Sequence, residues 1–86
     1  MDAKLKEMRQ ESKNMTPNII IGKNGFTDNV IIKIKEDLSK HKMVKLKILQ
    51  SYISDKDKNK VFDDIAEKTG AKVVDKIGFT LTLTRK

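Results

Sequence analysis

Ile19-Ile20-Ile21-Gly22-Lys23-Asn24-Gly25-Phe26-Thr27-Asp28 decides the architecture: a β-branched run breaks at a glycine, crosses a basic and a polar residue, and enters a helix. Three consecutive isoleucines predict a strand covered on at least one face and placed inside a sheet rather than at a solvated edge. Two glycines three apart let the backbone turn tightly and approach another backbone closely. Thr27 is suited to cap the following helix, and Asp28 in its first turn favours the helix dipole. A phosphate could sit at such a loop, on the outward amides of the helix start, with Lys23 adding a full charge. The plain alternative is a strand-to-helix turn. With glycine at about 7% of residues, some G-x-x-G arises by chance in roughly one chain in three of this length.

Outward from this loop, residues 3–13 fit a short amphipathic helix with Leu5, Met8 and Ser12 on one stripe. Pro17 ends it and leads into the first strand, residues 18–21. After the loop, Val30, Ile31, Ile34 and Leu38 form the apolar stripe of a helix that stops near His41. Residues 43–49 then alternate, with Val44, Leu46 and Ile48 on one face and Lys45 and Lys47 on the other. Ser54 or Asp55 is placed to cap a third helix, with Val61, Phe62, Ile65 and Ala66 buried, that ends at Thr69-Gly70. Residues 71–76 are a third strand, Ile77-Gly78 a tight turn, and residues 79–84 a fourth strand. In that strand Phe79, Leu81 and Leu83 alternate with Thr80, Thr82 and Thr84.

The order α-β-α-β-α-β-β predicts an α/β two-layer sandwich with a four-stranded mixed sheet. Antiparallel pairing is expected only in the last hairpin, and helices mainly on one face. Lys45, Lys47, Thr80, Thr82 and Thr84 would line the other face, solvated or in contact with RNA. Residues 1–86 are read as one domain.

The net charge is +7 and the pI near 9.7. Residues 22–50 carry +4 and 71–86 carry +3, while 51–70 carry −1. This distribution suits a polyanion, above all nucleic acid, met away from the acidic face of the third helix. Cysteine is absent, so packing alone holds the chain and a reducing cytoplasm is the expected setting. No apolar run reaches the length of a membrane span.

Enzymatic chemistry finds little support. Gly22-Lys23 lacks the preceding glycine of a Walker A loop and the Ser or Thr after its lysine. His41 is the sole histidine and has no triad spacing around it. Asp63 and Asp64, adjacent on a helix, diverge by about 100° and read as a solvated face. No catalytic residue, metal site or cofactor is expected. An adaptor role would need an exposed apolar patch, for which Tyr52-Ile53 is the one candidate.

Three separated motifs resemble one family. Met15-Thr16-Pro17 followed by Ile21-Gly22-Lys23-Asn24-Gly25-Phe26-Thr27 is close to a leucine-x-proline and an I-G-K-N-G-L-T signature. His41-Lys42-Met43-Val44-Lys45-Leu46-Lys47 resembles H-E-L-I-K-V-K. Gly70-Ala71, Val74, Ile77-Gly78 and Leu83-Thr84-Arg85 follow a G-A…V…I-G…L-Y-R ending. This is the pattern of the CRM domain, named for chloroplast RNA splicing and ribosome maturation, in its stand-alone YhbY-like form. The resemblance implies a fold similar to the C-terminal domain of translation initiation factor three and a role with precursors of the large ribosomal subunit. Lys42 stands where the family has glutamate, and Thr84 where it has tyrosine, so phosphate and shape recognition should outweigh base stacking.

The expectation is therefore a cytoplasmic, monomeric, non-catalytic RNA-binding protein with no small-molecule substrate and no membrane partner. Gly22, Lys23, Asn24 and Gly25 form its loop, and Lys13, Lys33, Lys42, Lys45, Lys47 and Arg85 are candidates for phosphate contact. A bulky residue at Gly22 or Gly25 should impair binding and leave the fold largely intact. The alternative is a small basic Alba-type chromatin protein that binds duplex DNA.

Overall fold

The computed structural model describes residues 3–22 and 25–85. Its elements run α1 (Ala3–Lys13), β1 (Ile19–Ile21), α2 (Asp28–Lys40), β2 (Met43–Ile48), α3 (Gln50–Ile53), α4 (Lys58–Thr69), β3 (Ala71–Ile77) and β4 (Thr80–Arg85). Local chemistry explains most boundaries. Thr27 Oγ1 accepts the Val30 amide at 3.3 Å and starts α2. Asp57, three residues past the first of the two expected caps, accepts the amides of Asn59 and Lys60 and starts α4. Gly70, left-handed at φ 66°, ends it. The extra turn α3 occupies the polar stretch before Asp57.

The sheet is four-stranded and mixed, in the order β1-β2-β4-β3. β1 runs parallel to β2, with Ile19 opposite Leu46 and Ile21 opposite Ile48. β4 lies between β2 and β3 and is antiparallel to both, with Leu46 opposite Leu81 and Val44 opposite Leu83. Antiparallel pairing is thus not confined to the last hairpin. The crossover through α4 does join two strands of the same direction, but β4 folds back and inserts between them.

Val44, Leu46, Ile48, Leu81 and Leu83 are completely buried. With Ile19, Ile21, Ile34, Leu38, Phe62, Ile65 and Ala66 they form the main core between the sheet and the pair α2 and α4. β1 is an edge strand, not an internal one. Ile19 and Ile21 face the main core, and Ile20 stands 61% exposed on the opposite face. A β-branched run announces a strand but carries no information on how many neighbours it has.

The second face is not simply open. α1 packs over part of it, with Met8 against Met43 and Val74, and Leu5 and Met15 beside them. Val74 reaches this cluster because β3 bulges between Val73 and Asp75. Ser12 and Thr82 share a buried 2.5 Å hydrogen bond. Thr84 is buried and its hydroxyl donates to the Lys42 carbonyl at 2.9 Å. Lys45 is half-buried: its ammonium donates to the carbonyls of Ser12 at 2.6 Å and Met15 at 3.0 Å, which lie at and just past the C-terminal end of α1. A cation at that end satisfies orphan carbonyls and opposes the negative pole of the helix. Thr82 and Lys45 are therefore docking residues for α1, and Thr84 is tied to Lys42, so these three do not form an open polar face.

Lys45→Ala should destabilise the domain by about 2 kcal/mol, the range for hydrogen bonds to a charged group. Native-state hydrogen exchange should quicken across residues 4–13 while β2 and β4 stay protected. Unchanged exchange in α1 would mean that its apolar contacts suffice to hold it.

Candidate nucleic-acid interface

The glycine loop sits where β1 ends. The Gly25 amide donates to the Gly22 carbonyl at 2.9 Å, and the Leu49 amide donates to Ile21, so the loop is tied to the end of β2. The two glycines have different reasons to be there. Gly25 is buried at φ 74°, and a methyl group on it would stand 2.6 Å from Cε1 of Tyr52. Both the backbone conformation and the Tyr52 ring exclude a side chain. At Gly22 a methyl would meet only Leu49 Cδ1, at the ordinary distance of 3.4 Å. The expectation that a bulky residue at either glycine leaves the fold largely intact fails at Gly25, where even a methyl group collides with Tyr52; at Gly22 there is room for a methyl group. Lys23 and Asn24, between them, lie outside the described residues.

Tyr52 joins the loop to the corner between α3 and α4. The Lys56 ammonium lies 4.6 Å from the centre of its ring and donates to its carbonyl at 3.0 Å and to Asp55 at 3.1 Å. Through that hydrogen bond and its charge, Lys56 holds the Asp55 carboxyl below its ordinary value. Lys58 stands 5.6 Å from the centre of the Phe79 ring, and Phe79 is partly exposed in the turn between β3 and β4 rather than in the core. Lys56 and Lys58 are basic residues at the loop end that the charge count concealed. They precede the acidic residues Asp63, Asp64 and Glu67, and a single total for residues 51–70 cancels the two groups. The four-residue spacing of Tyr52 and Lys56 is the signal that could have revealed the first pair.

The remaining candidates do not converge on the loop. Lys42 begins the turn into β2, and Arg85 ends β4 opposite Ala71, so both lie at the opposite end of the sheet. β2 alone separates the two ends by roughly 20 Å at about 3.3 Å per residue. Lys4, Met8, Lys42, Thr84 and Arg85 line a groove at that end, and Lys42 pairs with Glu11 at 3.8 Å. Lys33 is exposed midway along α2, and Lys13 in the last turn of α1. Lys47 is exposed one turn of the pleat from the loop. Tyr52 and Ile53 do not make the expected apolar patch, because Ile53 is buried and Tyr52 packs on Gly25.

His41 closes α2, its amide donating to Asp37 at 2.8 Å, with an exposed side chain. Among the described residues no group of three His, Cys, Asp or Glu could hold a metal ion, and no helix is long and apolar enough to cross a membrane.

The CRS1 / YhbY (CRM) domain model matches residues 1–85. The chain belongs to the CRM domain family. A relative in Bacillus subtilis strain 168, named the probable RNA-binding protein YqeI, is 30% identical over 79 residues, covering 92% of this chain and 80% of its own. The hypothetical protein SAV1595 of Staphylococcus aureus, whose solution structure is given as that of a candidate RNA-binding protein, superposes with a TM-score of 0.76. It is 27% identical, over 95% of this chain and 83% of its own. In this CRM domain Thr84, which stands where the family pattern has tyrosine, is used internally to hold the Lys42 carbonyl.

Gly25→Ala should cost about 2 kcal/mol, since a left-handed residue and a ring overlap are both involved, whereas Gly22→Ala should stay within about 1 kcal/mol. Denaturant titration of both variants checks this. Adding Tyr52→Leu to Gly25→Ala should recover part of the loss, and no recovery would remove Tyr52 as the cause.

Proposed function

We propose that this CRM domain is a non-catalytic RNA-binding protein that takes ribosomal RNA or its precursor as partner during assembly of the large subunit. The observation that carries the reading is the glycine turn, braced from behind by Tyr52 at the end of the sheet, in a chain of charge +7. Gly22 and Gly25 are held together by a hydrogen bond and backed by Tyr52, which fixes the two ends of the loop at a basic end of the sheet suited to a phosphate backbone. The Bacillus relative, named for RNA binding, supports RNA over other polyanions. The ribosomal target follows from the motif resemblance to stand-alone CRM proteins.

Gly22, Lys23, Asn24 and Gly25 form the primary contact in this proposal, with Lys47, Lys56 and Lys58 beside them. Lys13, Lys33, Lys42 and Arg85 supply phosphate contacts to an RNA large enough to reach both ends of the sheet. Lys45 leaves the set because its ammonium is engaged by α1. A cytoplasmic, monomeric protein is part of the same reading.

Competition titration of labelled large-subunit ribosomal RNA fragments against transfer RNA and duplex DNA, at two salt concentrations, tests it. Ribosomal RNA should compete best. Lys23→Ala should weaken binding to all RNA sequences alike and reduce the slope of log K against log salt by about one. Equal competition by duplex DNA would replace this reading with a chromatin-type one.

A further inference from the structure

One row of residues crosses all four strands at the loop end of the sheet. Ile20 on β1 is opposite Lys47 on β2, Lys47 is opposite Thr80 on β4, and Thr80 is opposite Ile77 on β3. Residues directly opposite in a sheet share a face, so all four stand on the face that α1 covers elsewhere. α1 does not reach this row. Ile20 is 61% exposed, Ile77 52%, Lys47 is exposed and Thr80 half-buried. Leu49, also partly exposed, continues the strip from Lys47 to Gly22. Of the five exposed large hydrophobic residues among those described, only Ile32 lies on the outside of a helix; the other four are at this end of the sheet.

The composition limits what the strip can hold. No hydrogen bond or ion pair engages Lys47 among the described residues. The nearest carboxylate in register, Asp75, is one row away opposite Thr82 and accepts the Lys76 amide. The strip is about 14 Å long, from three strand spacings, and about 7 Å wide, an area on the order of 100 Å². That is far below the roughly 800 Å² per partner of a stable protein interface. A second copy of the chain or a folded protein is poorly matched. A short run of nucleotides leaving the glycine loop is well matched: Lys47 meets a phosphate, the Thr80 hydroxyl a phosphate or 2′-hydroxyl, and the two isoleucines the ribose and base faces. Duplex RNA keeps its base faces stacked inside, so isoleucine has nothing apolar to meet there.

We propose that the Ile20-Lys47-Thr80-Ile77 strip is a binding site for unpaired RNA nucleotides adjoining the glycine loop. This rests on the RNA-binding reading and narrows it: the RNA is one in which a paired segment ends beside exposed bases.

The test uses a hairpin RNA carrying a short single-stranded tail and the same hairpin with a blunt end, titrated by fluorescence anisotropy. The protein should bind the tailed hairpin about tenfold more tightly than the blunt one. Ile20→Ser combined with Ile77→Ser should abolish that preference, and Ile32→Ser, an equally exposed isoleucine on α2, should retain it. In the unmodified protein, the methyl resonances of Ile20 and Ile77 should shift with the tailed hairpin, and that of Ile32 should not. Equal affinity for both hairpins with unmoved Ile20 and Ile77 methyls overturns the proposal, and leaves RNA binding intact if Lys23→Ala still weakens both. Failure to bind either hairpin at low salt removes the RNA reading and this proposal together. A concentration-dependent dimer lost in the double serine variant, with the tail preference unchanged, would make the strip a protein contact and overturn the proposal.

Discussion

The pairing of β2 with β4 is the constraint on which the rest of the molecule depends. Their alternate residues Val44, Leu46, Ile48, Leu81 and Leu83 are fully buried and form the floor on which α2 and α4 rest. Met43, Lys45 and Thr82 face the other way and receive α1. Because the side-chain period of a strand is two, a slip of one residue in this pair would expose the core and bury a lysine. Register here fixes both layers at once, and with them the end of the sheet at which the glycine loop emerges.

The two outer strands meet solvent in different ways. β1 has three residues, too short to template another chain along its free edge. β3 has seven and needs other protection. It bulges at Val74, carries Lys72 and Lys76, and the Arg9 guanidinium takes the Val74 carbonyl at 3.0 Å. Lys76 also reaches Asp63 on α4 at 3.1 Å. α1 therefore guards an edge as well as covering a face.

Much of this was legible in the residues. The stripe of α2, its cap at Thr27 and the glycine end of α4 follow from short-range chemistry, as does the alternation of β2. What escaped depends on partners distant in the chain. The three isoleucines of β1 look the same at an edge as in the middle, and nothing near residues 80–85 says that the last strand inserts between β2 and β3. Lys45 alternates with apolar residues as a solvated lysine would, and only the arrival of α1 from thirty residues away turns it inward. Phe79 alternates correctly with Leu81 and Leu83, yet the turn at Gly78 leaves it at the surface. The loop was visible as a motif, while the ring that makes Gly25 obligatory belongs to Tyr52, beyond the next helix and strand.

The central position of β4 also bears on how the chain acquires its structure during synthesis. β2 is complete at residue 48, but its antiparallel neighbour lies at residues 80–85. Until those residues have left the ribosomal exit tunnel, one flank of β2 has no strand beside it and its buried leucine and valine have no cover from that side. The chain thus cannot lay down its sheet strand by strand in the order it is made. A nascent chain stalled before residue 80 leaves that flank of β2 unpaired, the kind of surface chaperones hold.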